Sequence, residues 1–195
     1  MVEEVGASVE GVAVGDEVIG YTDNRSSQAD YVLVEAANLT AKPPEVPWEV
    51  AGALFVAGAT GVATVRAVAP SAGEAIVIAG AGGGVGVFAV QLAVRTGACV
   101  IALASERHHA WLRELGIARD RIDTIVDFPA IQKYGVKSEG GAEAASAATL
   151  AELAEAIAAG DLVVPIQRTY PLDDVRAAFT ELEAGHTAGK IVLIP

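Results

Sequence analysis

The chain has 195 residues, of which 52% are hydrophobic, and its formal net charge at pH 7 is −12. This length and composition allow a sizeable core in one domain or two small ones. The negative charge argues against a nucleic-acid partner, whose phosphates would be repelled, and a single cysteine (Cys99) excludes an intramolecular disulfide and a cysteine-based zinc cluster.

Two uncharged windows, 50–65 and 75–94, are interpreted as core rather than as membrane spans. The first is too short to cross a bilayer, and the second contains a glycine cluster that breaks a helix. The first residues, Met1-Val-Glu-Glu, lack the basic and apolar regions of a signal peptide. We therefore expect a cytoplasmic protein with neither a membrane nor a nucleic-acid partner.

The first part of the chain has β character. Short strands are predicted over Gly15–Tyr21 and Ala29–Glu35, on either side of a polar turn, and a third over Leu39–Pro43. Trp48 opens a helix after the prolines, and a longer helix of small residues is predicted over about Ala57–Val68.

The next segment, 75–94, is the most informative one. Its small and β-branched residues Ala75–Ala79 predict a buried strand, five glycines follow between positions 80 and 86, and Val85–Val94 predicts a helix. The strict G-x-G-x-x-G spacing is absent, but Gly80-x-x-Gly83-x-x-Gly86 is present. This arrangement points backbone N–H groups and a helix N-terminus at one spot, as a dinucleotide pyrophosphate site requires. The alternative is a tight turn without a ligand.

The pattern of strand and helix then repeats. Ala98–Ala104 predicts a second buried strand and Ser105 caps a helix that runs to about Leu115, which together give the core of a parallel nucleotide-binding sheet. Arg121–Asp127 and Gly135–Lys137 predict two further strands.

The last third of the chain alternates in the same way. Helices are predicted over Ala142–Ala159 and Leu172–Ala184, and strands over Leu162–Ile166 and Gly189–Ile194.

The end of the second predicted strand indicates which dinucleotide would bind. NAD-selective sites place Asp or Glu about twenty residues after the loop, to accept hydrogen bonds from the ribose. Ser105 stands there and can donate to a 2′-phosphate, which Arg107 can pair with, so the pattern favours NADP(H). Glu106 weakens this interpretation, and the alternative is that Ser105 is only a helix cap and Arg107 a solvated side chain.

Five short motifs together resemble a known family. In chain order they are Val-Gly-Asp-Glu-Val at 14–18, Gly-Ala-Thr at 58–60, the glycine loop at 80–86, Ala-Val-Gln-Leu-Ala at 89–93 and Gly-Lys-Ile-Val-Leu at 189–193. The chain resembles, over nearly all its length, the zinc-independent quinone oxidoreductase and enoyl reductase branch of the medium-chain dehydrogenase/reductase superfamily.

The resemblance implies an α/β fold with two domains. A partial GroES-like β domain over 1–50 would carry the substrate side, a Rossmann-type doubly wound parallel sheet over 51–160 would bind NADPH, and 161–195 would return to the first domain. It further implies hydride transfer from NADPH to a quinone or an α,β-unsaturated carbonyl, without a metal, in a homodimer.

The expected cofactor-binding residues come from the loop, the strand end and the resemblance. They are Thr60, Gly80, Gly83, Gly84, Val85, Gly86, Ser105 and Arg107. Thr60 either matches the family threonine near the nicotinamide or is a small residue that permits close helix packing. Family analogy brings Lys190 towards the cofactor, but we interpret it as a surface lysine. No residue is assigned to catalysis, because no carboxylate pair or Ser/His/Asp set is suitably spaced and the cofactor supplies the chemistry.

The chain also departs from the family. The N-terminal strands of the β domain have no counterpart, and about two sheet strands, the central fourth among them, are missing between 116 and 135. Arg121–Asp127 is either the third Rossmann strand or a later one. Without the fourth strand, backbone groups of the first Rossmann strand would be unpaired in the core, and each would cost about 1–3 kcal/mol. Three outcomes avoid this cost: a later strand pairs with the first strand, a second chain does so, or the intact protein has more residues. The alternative function is a truncated, non-catalytic relative that binds a nucleotide or a partner.

Overall fold

The structure, a computed structural model, describes residues 1–22, 26–103, 123–125, 128–135, 137–185, 187 and 189–195. These residues form helices and three two-stranded sheets. The predicted helix from Ser105 to Leu115 and most of the predicted strand Arg121–Asp127 lie outside the described residues. No helix in the described ranges is long and apolar enough to cross a membrane.

The first sheet is antiparallel and joins β1 (Val18–Gly20) to β2 (Leu39–Ala41). These strands confirm two of the three predictions in this part of the chain. The predicted strand over Ala29–Glu35 is wrong, because these residues form bends and irregular backbone. Leu33 is 94% exposed. A strand needs a neighbour for its backbone hydrogen bonds, and the described residues provide none there.

Two helices follow, α1 (Trp48–Ala51) and α2 (Phe55–Val68), as the sequence predicts. Small residues in α2 let the neighbouring helices approach closely. A Cβ added at Gly58 would lie 2.7 Å from Leu153 Cδ1, and one added at Gly61 would lie 2.7 Å from Phe88 Cβ. The glycines of α2 therefore leave room for the side chains of Leu153 and Phe88, and Phe88 is fully buried there.

The glycine segment folds as predicted. Strand β3 (Ala75–Ala79) leads through the glycine turn at 80–85 into α3 (Gly86–Arg95), and β4 (Cys99–Leu103) returns parallel to β3. Gly97 ends the helix with a φ of 83°. This β–α–β unit places the turn at the carboxyl end of β3, where open α/β sheets bind their ligands.

The middle of the chain departs from the prediction. Helix α4 (Phe128–Tyr134) was not predicted, although Pro129 suits a first helical turn. In the described residues, the predicted strand Gly135–Lys137 is represented by one parallel bridge between Asp123 and Lys137.

Helix α5 (Ala147–Ala158) begins later than the predicted Ala142. Its start is fixed by Ser146, whose Oγ accepts a hydrogen bond from the Thr149 N–H at 3.0 Å. A serine in this position caps a helix by satisfying one of its free N–H groups.

The last segment is a second parallel β–α–β unit, which we call the returning unit. It consists of β5 (Ile166–Pro171), α6 (Val175–Glu183) and β6 (Lys190–Ile194).

The predicted strand over Leu162–Ile166 is wrong, because β5 begins only at Ile166. Gln91 takes the place of a neighbouring strand. Its Nε2 donates to the Val163 carbonyl and its Oε1 accepts from the Val163 N–H, both at 2.8 Å. The backbone before β5 is therefore bonded to a side chain of α3 instead of a strand.

The core lies where α2, α3 and α5 meet. Its largest fully buried side chains are Phe88, Leu54, Leu150, Leu162 and Val46. Leu162 belongs to the segment that leads into the returning unit, so this unit is anchored in the same core as α3.

Candidate functional site

The glycine turn is tightly closed. Gly80 has a φ of 69°, and its carbonyl accepts a hydrogen bond from the Gly83 N–H at 2.9 Å. A Cβ added at Gly86 would overlap the Gly80 carbonyl oxygen and the Ala81 backbone. Glycine is therefore required at 86 for α3 to start directly over the end of β3.

Three backbone donors of the turn remain free. In the described part of the chain, no acceptor bonds the N–H groups of Gly84, Val85 and Gly86. They stand at the N-terminus of α3, which carries a partial positive charge from the helix dipole. Free donors and a helix dipole at one point make a site for an anion.

A cleft of about 420 Å³ opens beside this turn. Its walls come from the glycine turn, the first turn of α2, the end of α6 and the start of β6. The lining includes Val56, Gly84, Leu182, Thr187, Lys190 and Ile191. The lining is thus mostly apolar and includes two polar side chains, those of Thr187 and Lys190. Apolar walls with a few polar groups are typical of ligand sites.

Lys190 is the charged side chain of the described lining. Its side chain lies against Gly84, since a Cβ added there would be 3.1 Å from Lys190 Cδ and 3.7 Å from Nζ. Burial lowers the pKa of Lys190 below its ordinary value, and no described carboxylate forms an ion pair with it. The expectation of a surface lysine is wrong, because β6 directs this side chain into the cleft.

Thr187 contributes a second polar group to the cleft. Its Oγ1 is buried and has no hydrogen-bond partner among the residues described. A buried hydroxyl without a partner costs free energy unless a ligand or water satisfies it. Thr187 was missed from the sequence, and family analogy alone brought Lys190 towards the cofactor, because only the fold brings β6 to the glycine turn.

The other predicted site residues are placed differently. Thr60 is 6% exposed and donates its hydroxyl proton to the Val56 carbonyl at 2.5 Å, one turn behind the wall of the cleft. Its role near a nicotinamide stays a prediction. Ser105 and Arg107 lie outside the described residues, so the preference for NADP(H) also stays a prediction.

A family model described as zinc-binding dehydrogenase matches residues 50–193. The chain belongs to this family. The match covers the glycine turn, the cleft and the returning unit, and it confirms the resemblance to the medium-chain dehydrogenase/reductase superfamily, in its quinone oxidoreductase-like branch.

Curated relatives match all or part of the chain. The 2-methylene-furan-3-one reductase of Solanum lycopersicum is 26% identical, and the NADPH-dependent alkenal/one oxidoreductase of Arabidopsis thaliana is 27% identical. Both alignments cover 100% of this chain, which spans only 61% and 62% of those proteins. The polyketide synthase GfsB of Streptomyces halstedii is 35% identical over 134 residues, which are 68% of this chain and 2% of the synthase.

Solved structures share the fold. The quinone oxidoreductase of Coxiella burnetii superposes with a TM-score of 0.81 at 23% identity, covering 97% of this chain and 75% of that one. The quinone oxidoreductase of Pseudomonas syringae pv. Tomato gives a TM-score of 0.76 at 25% identity, with coverage of 99% and 79%. These matches confirm the predicted α/β class with its Rossmann-type parallel strands. They and the curated relatives make the chain a member of an oxidoreductase family.

Because the family is described as zinc-binding, we asked whether the described residues could bind a zinc ion. The described residues contain no group of three or more His, Cys, Asp and Glu side chains that could hold a metal ion. Cys99 is exposed on β4. This part of the chain therefore does not fit a zinc ion, which needs three or four such ligands.

Proposed function

We propose that the chain binds NADPH at the glycine turn and transfers its hydride to a quinone or an α,β-unsaturated carbonyl. The observation that carries this proposal is the convergence on one cleft of three backbone N–H groups and the Lys190 ammonium, none of which has an acceptor or a counter-charge among the described residues. An otherwise acidic chain thereby presents a local site for a diphosphate. Relatives named for alkenal/one and quinone reduction support the chemistry.

The residues of the cleft would bind and orient the cofactor, which supplies the hydride. The N–H groups of Gly84, Val85 and Gly86 would hold the diphosphate, and the Lys190 ammonium would neutralise part of its charge. Val56 and Leu182, which are 68% and 50% exposed, offer apolar surface to a ring of the ligand. Solvent would supply the proton that completes the reduction, since no acid in the described lining competes for this role.

The choice of NADPH over NADH rests on Ser105 and Arg107. A hydroxyl and a guanidinium at the end of the second Rossmann strand would both bind a 2′-phosphate, whereas a carboxylate there would repel it.

Several further properties are proposed from the family resemblance. We place the substrate domain at 1–50, the cofactor domain at 51–160 and the return to the first domain at 161–195. We also propose zinc-independent catalysis, a homodimer and a cytoplasmic location.

A second candidate function is nucleotide binding without turnover. The alignment with the tomato reductase spans 238 positions, against 195 residues in this chain, so that relative carries additional residues within the matched region. Such residues would include part of the sheet beside β3. A chain that keeps the glycine turn but lacks those strands would bind the cofactor and fail to reduce a substrate.

Binding and turnover measured separately distinguish the two functions. NADPH fluorescence titration reports binding, and loss of NADPH absorbance with a panel of quinones and enones reports turnover. The proposed enzyme shows both, and a binding-only relative shows the first alone. A chain that binds neither NADPH nor NADH would refute both candidates, while a protein that prefers NADH would refute the cofactor assignment.

A further inference from the structure

Among the described residues, one backbone hydrogen bond joins the returning unit to the glycine turn. The Gly189 N–H donates to the Gly82 carbonyl at 3.0 Å, and the next residue, Lys190, donates its N–H to the Pro165 carbonyl at 2.9 Å. The second bond connects the first residue of β6 to Pro165, the residue immediately before β5. The position of the glycine turn is therefore tied directly to the start of β6.

Residue 189 can form this contact only as glycine. Its φ is 79°, and an added Cβ would overlap the Pro165 carbonyl oxygen and lie 2.8 Å from the Pro165 Cβ. The facing turn residue has little room for a side chain, because a Cβ added at Gly84 would lie 3.3 Å from the Gly189 carbonyl oxygen. Two backbone segments thus approach each other through glycines on both sides.

The segment that leads into the returning unit is bound to α3 at two places. Gln91, in the middle of α3, holds the Val163 backbone at 2.8 Å on both of its polar groups. Arg95, at the end of α3, pairs with Asp161 at 3.6 Å. The backbone at 161–163 therefore lies along α3, and the bond at Gly189 links the start of β6 to the turn at the N-terminus of the same helix.

We propose that Gly189 is a positioning residue of the anion site, and that its hydrogen bond to Gly82 transmits the position of the returning unit to the free N–H groups of Gly84, Val85 and Gly86. Gly189 lines the cleft but has no side chain with which to bind the ligand. The proposal rests on the proposed function only in taking NADPH as the anion. By linkage, ligand at the turn stabilises the returning unit as much as the unit stabilises the ligand.

The coupling is measurable in the free protein without any variant. Native-state hydrogen exchange, followed by NMR at low urea concentrations, gives an opening free energy for the Gly83 amide, which bonds within the turn, and for the Gly189 amide. If turn and returning unit form one cooperative unit, both amides open with the same free energy and the same urea dependence. If Gly189 opens at a lower free energy while Gly83 stays protected, the proposal is overturned.

A matched pair of variants tests the effect on binding. Gly189→Ala introduces the overlap with Pro165, whereas Gly160→Ala has the same kind of backbone, with a φ of 76°, and open space around the added Cβ. We expect Gly189→Ala alone to speed exchange at Gly83 and to weaken NADPH binding about five- to tenfold, the loss of one well-placed hydrogen bond. Equal exchange and equal affinity in the two folded variants would overturn the proposal.

These measurements separate the inference from the proposed function. If the unmodified chain fails to bind NADPH, the proposed function is refuted, and the exchange of Gly83 and Gly189 still decides whether the turn and the returning unit are coupled. If the unmodified chain binds NADPH and the two amides open independently, only the coupling is refuted.

Discussion

Replacing Lys190 by methionine tests the electrostatics of the cleft. Lys190→Met keeps most of the stem that packs against Gly84 and removes the ammonium. In the free protein this group is half-buried without a described counter-charge, and its burial disfavours the charged form. The variant should therefore have a free energy of unfolding that is unchanged or raised, while its affinity for NADPH falls.

The size of the loss follows from the bond that disappears. A hydrogen bond to a charged group contributes about 1.5–3 kcal/mol, which corresponds to roughly 10- to 150-fold in the dissociation constant. A matched control is Lys133→Met, which removes the same charge from an exposed residue of α4 that does not line the cleft. Its effect on NADPH affinity should be less than about twofold, because exposed charges interact weakly with distant sites.

The same residue predicts a pH dependence with a definite sign. The pKa of Lys190 in the folded chain lies below its ordinary value of 10.5. Between these two values the unfolded chain binds more protons, so the free energy of unfolding rises with pH there, and Lys190→Met removes this rise. NADPH affinity should fall as pH increases through the lowered pKa, because the ammonium that binds the diphosphate is lost.

Fluorescence titration with NADPH and urea unfolding at several pH values measure these effects. The reasoning is refuted if Lys190→Met binds NADPH as the unmodified chain does. It is also refuted if the variant loses more than about 1 kcal/mol of stability, since the ammonium would then be making a favourable contact in the free protein.

Three more substitutions probe the rest of the site. Gly86→Ala should destabilise the chain by about 1–3 kcal/mol and abolish NADPH binding, because the added Cβ overlaps the Gly80 carbonyl oxygen. The control Gly82→Ala, which has open space around its added Cβ, should leave the urea midpoint unchanged. Gln91→Ala should cost about 0.5–1.5 kcal/mol in urea unfolding, because water replaces the lost partners of the exposed Val163 backbone. An unchanged midpoint would contradict the role of Gln91. Arg107→Ala should weaken NADPH at least about tenfold and leave NADH unchanged in parallel titrations, and equal losses for both cofactors would rule out a contact with the 2′-phosphate.

Local patterns predicted the first β–α–β unit well. The small and β-branched residues of β3, the glycines after it and the amphipathic α3 all act within a few residues of one another, so their sequence carries enough information. The structure places the free N–H groups of Gly84, Val85 and Gly86 where this pattern expects an anion.

The errors occur where a distant partner decides the outcome. Leu162–Ile166 has the composition of a strand, but the side chain of Gln91 satisfies the Val163 backbone in place of a neighbouring strand. Ala29–Glu35 also resembles a strand, yet Leu33 remains exposed because no described strand pairs with it. Neither partner can be read from the segment itself.

The site was incomplete in the prediction for the same reason. Lys190 and Thr187 are separated from the glycine turn by about a hundred residues in sequence, and only the contact between the start of β6 and the turn brings them together. A lysine at the start of a strand usually faces solvent, so the local sequence around Lys190 did not predict its burial.

The most direct test of the central claim is amide-resolved NMR of the unmodified chain during titration with NADPH. The account predicts that the N–H groups of Gly84, Val85 and Gly86 shift together and become protected from hydrogen exchange as the site fills. Binding of NADPH that leaves these three amides unshifted and unprotected would contradict it.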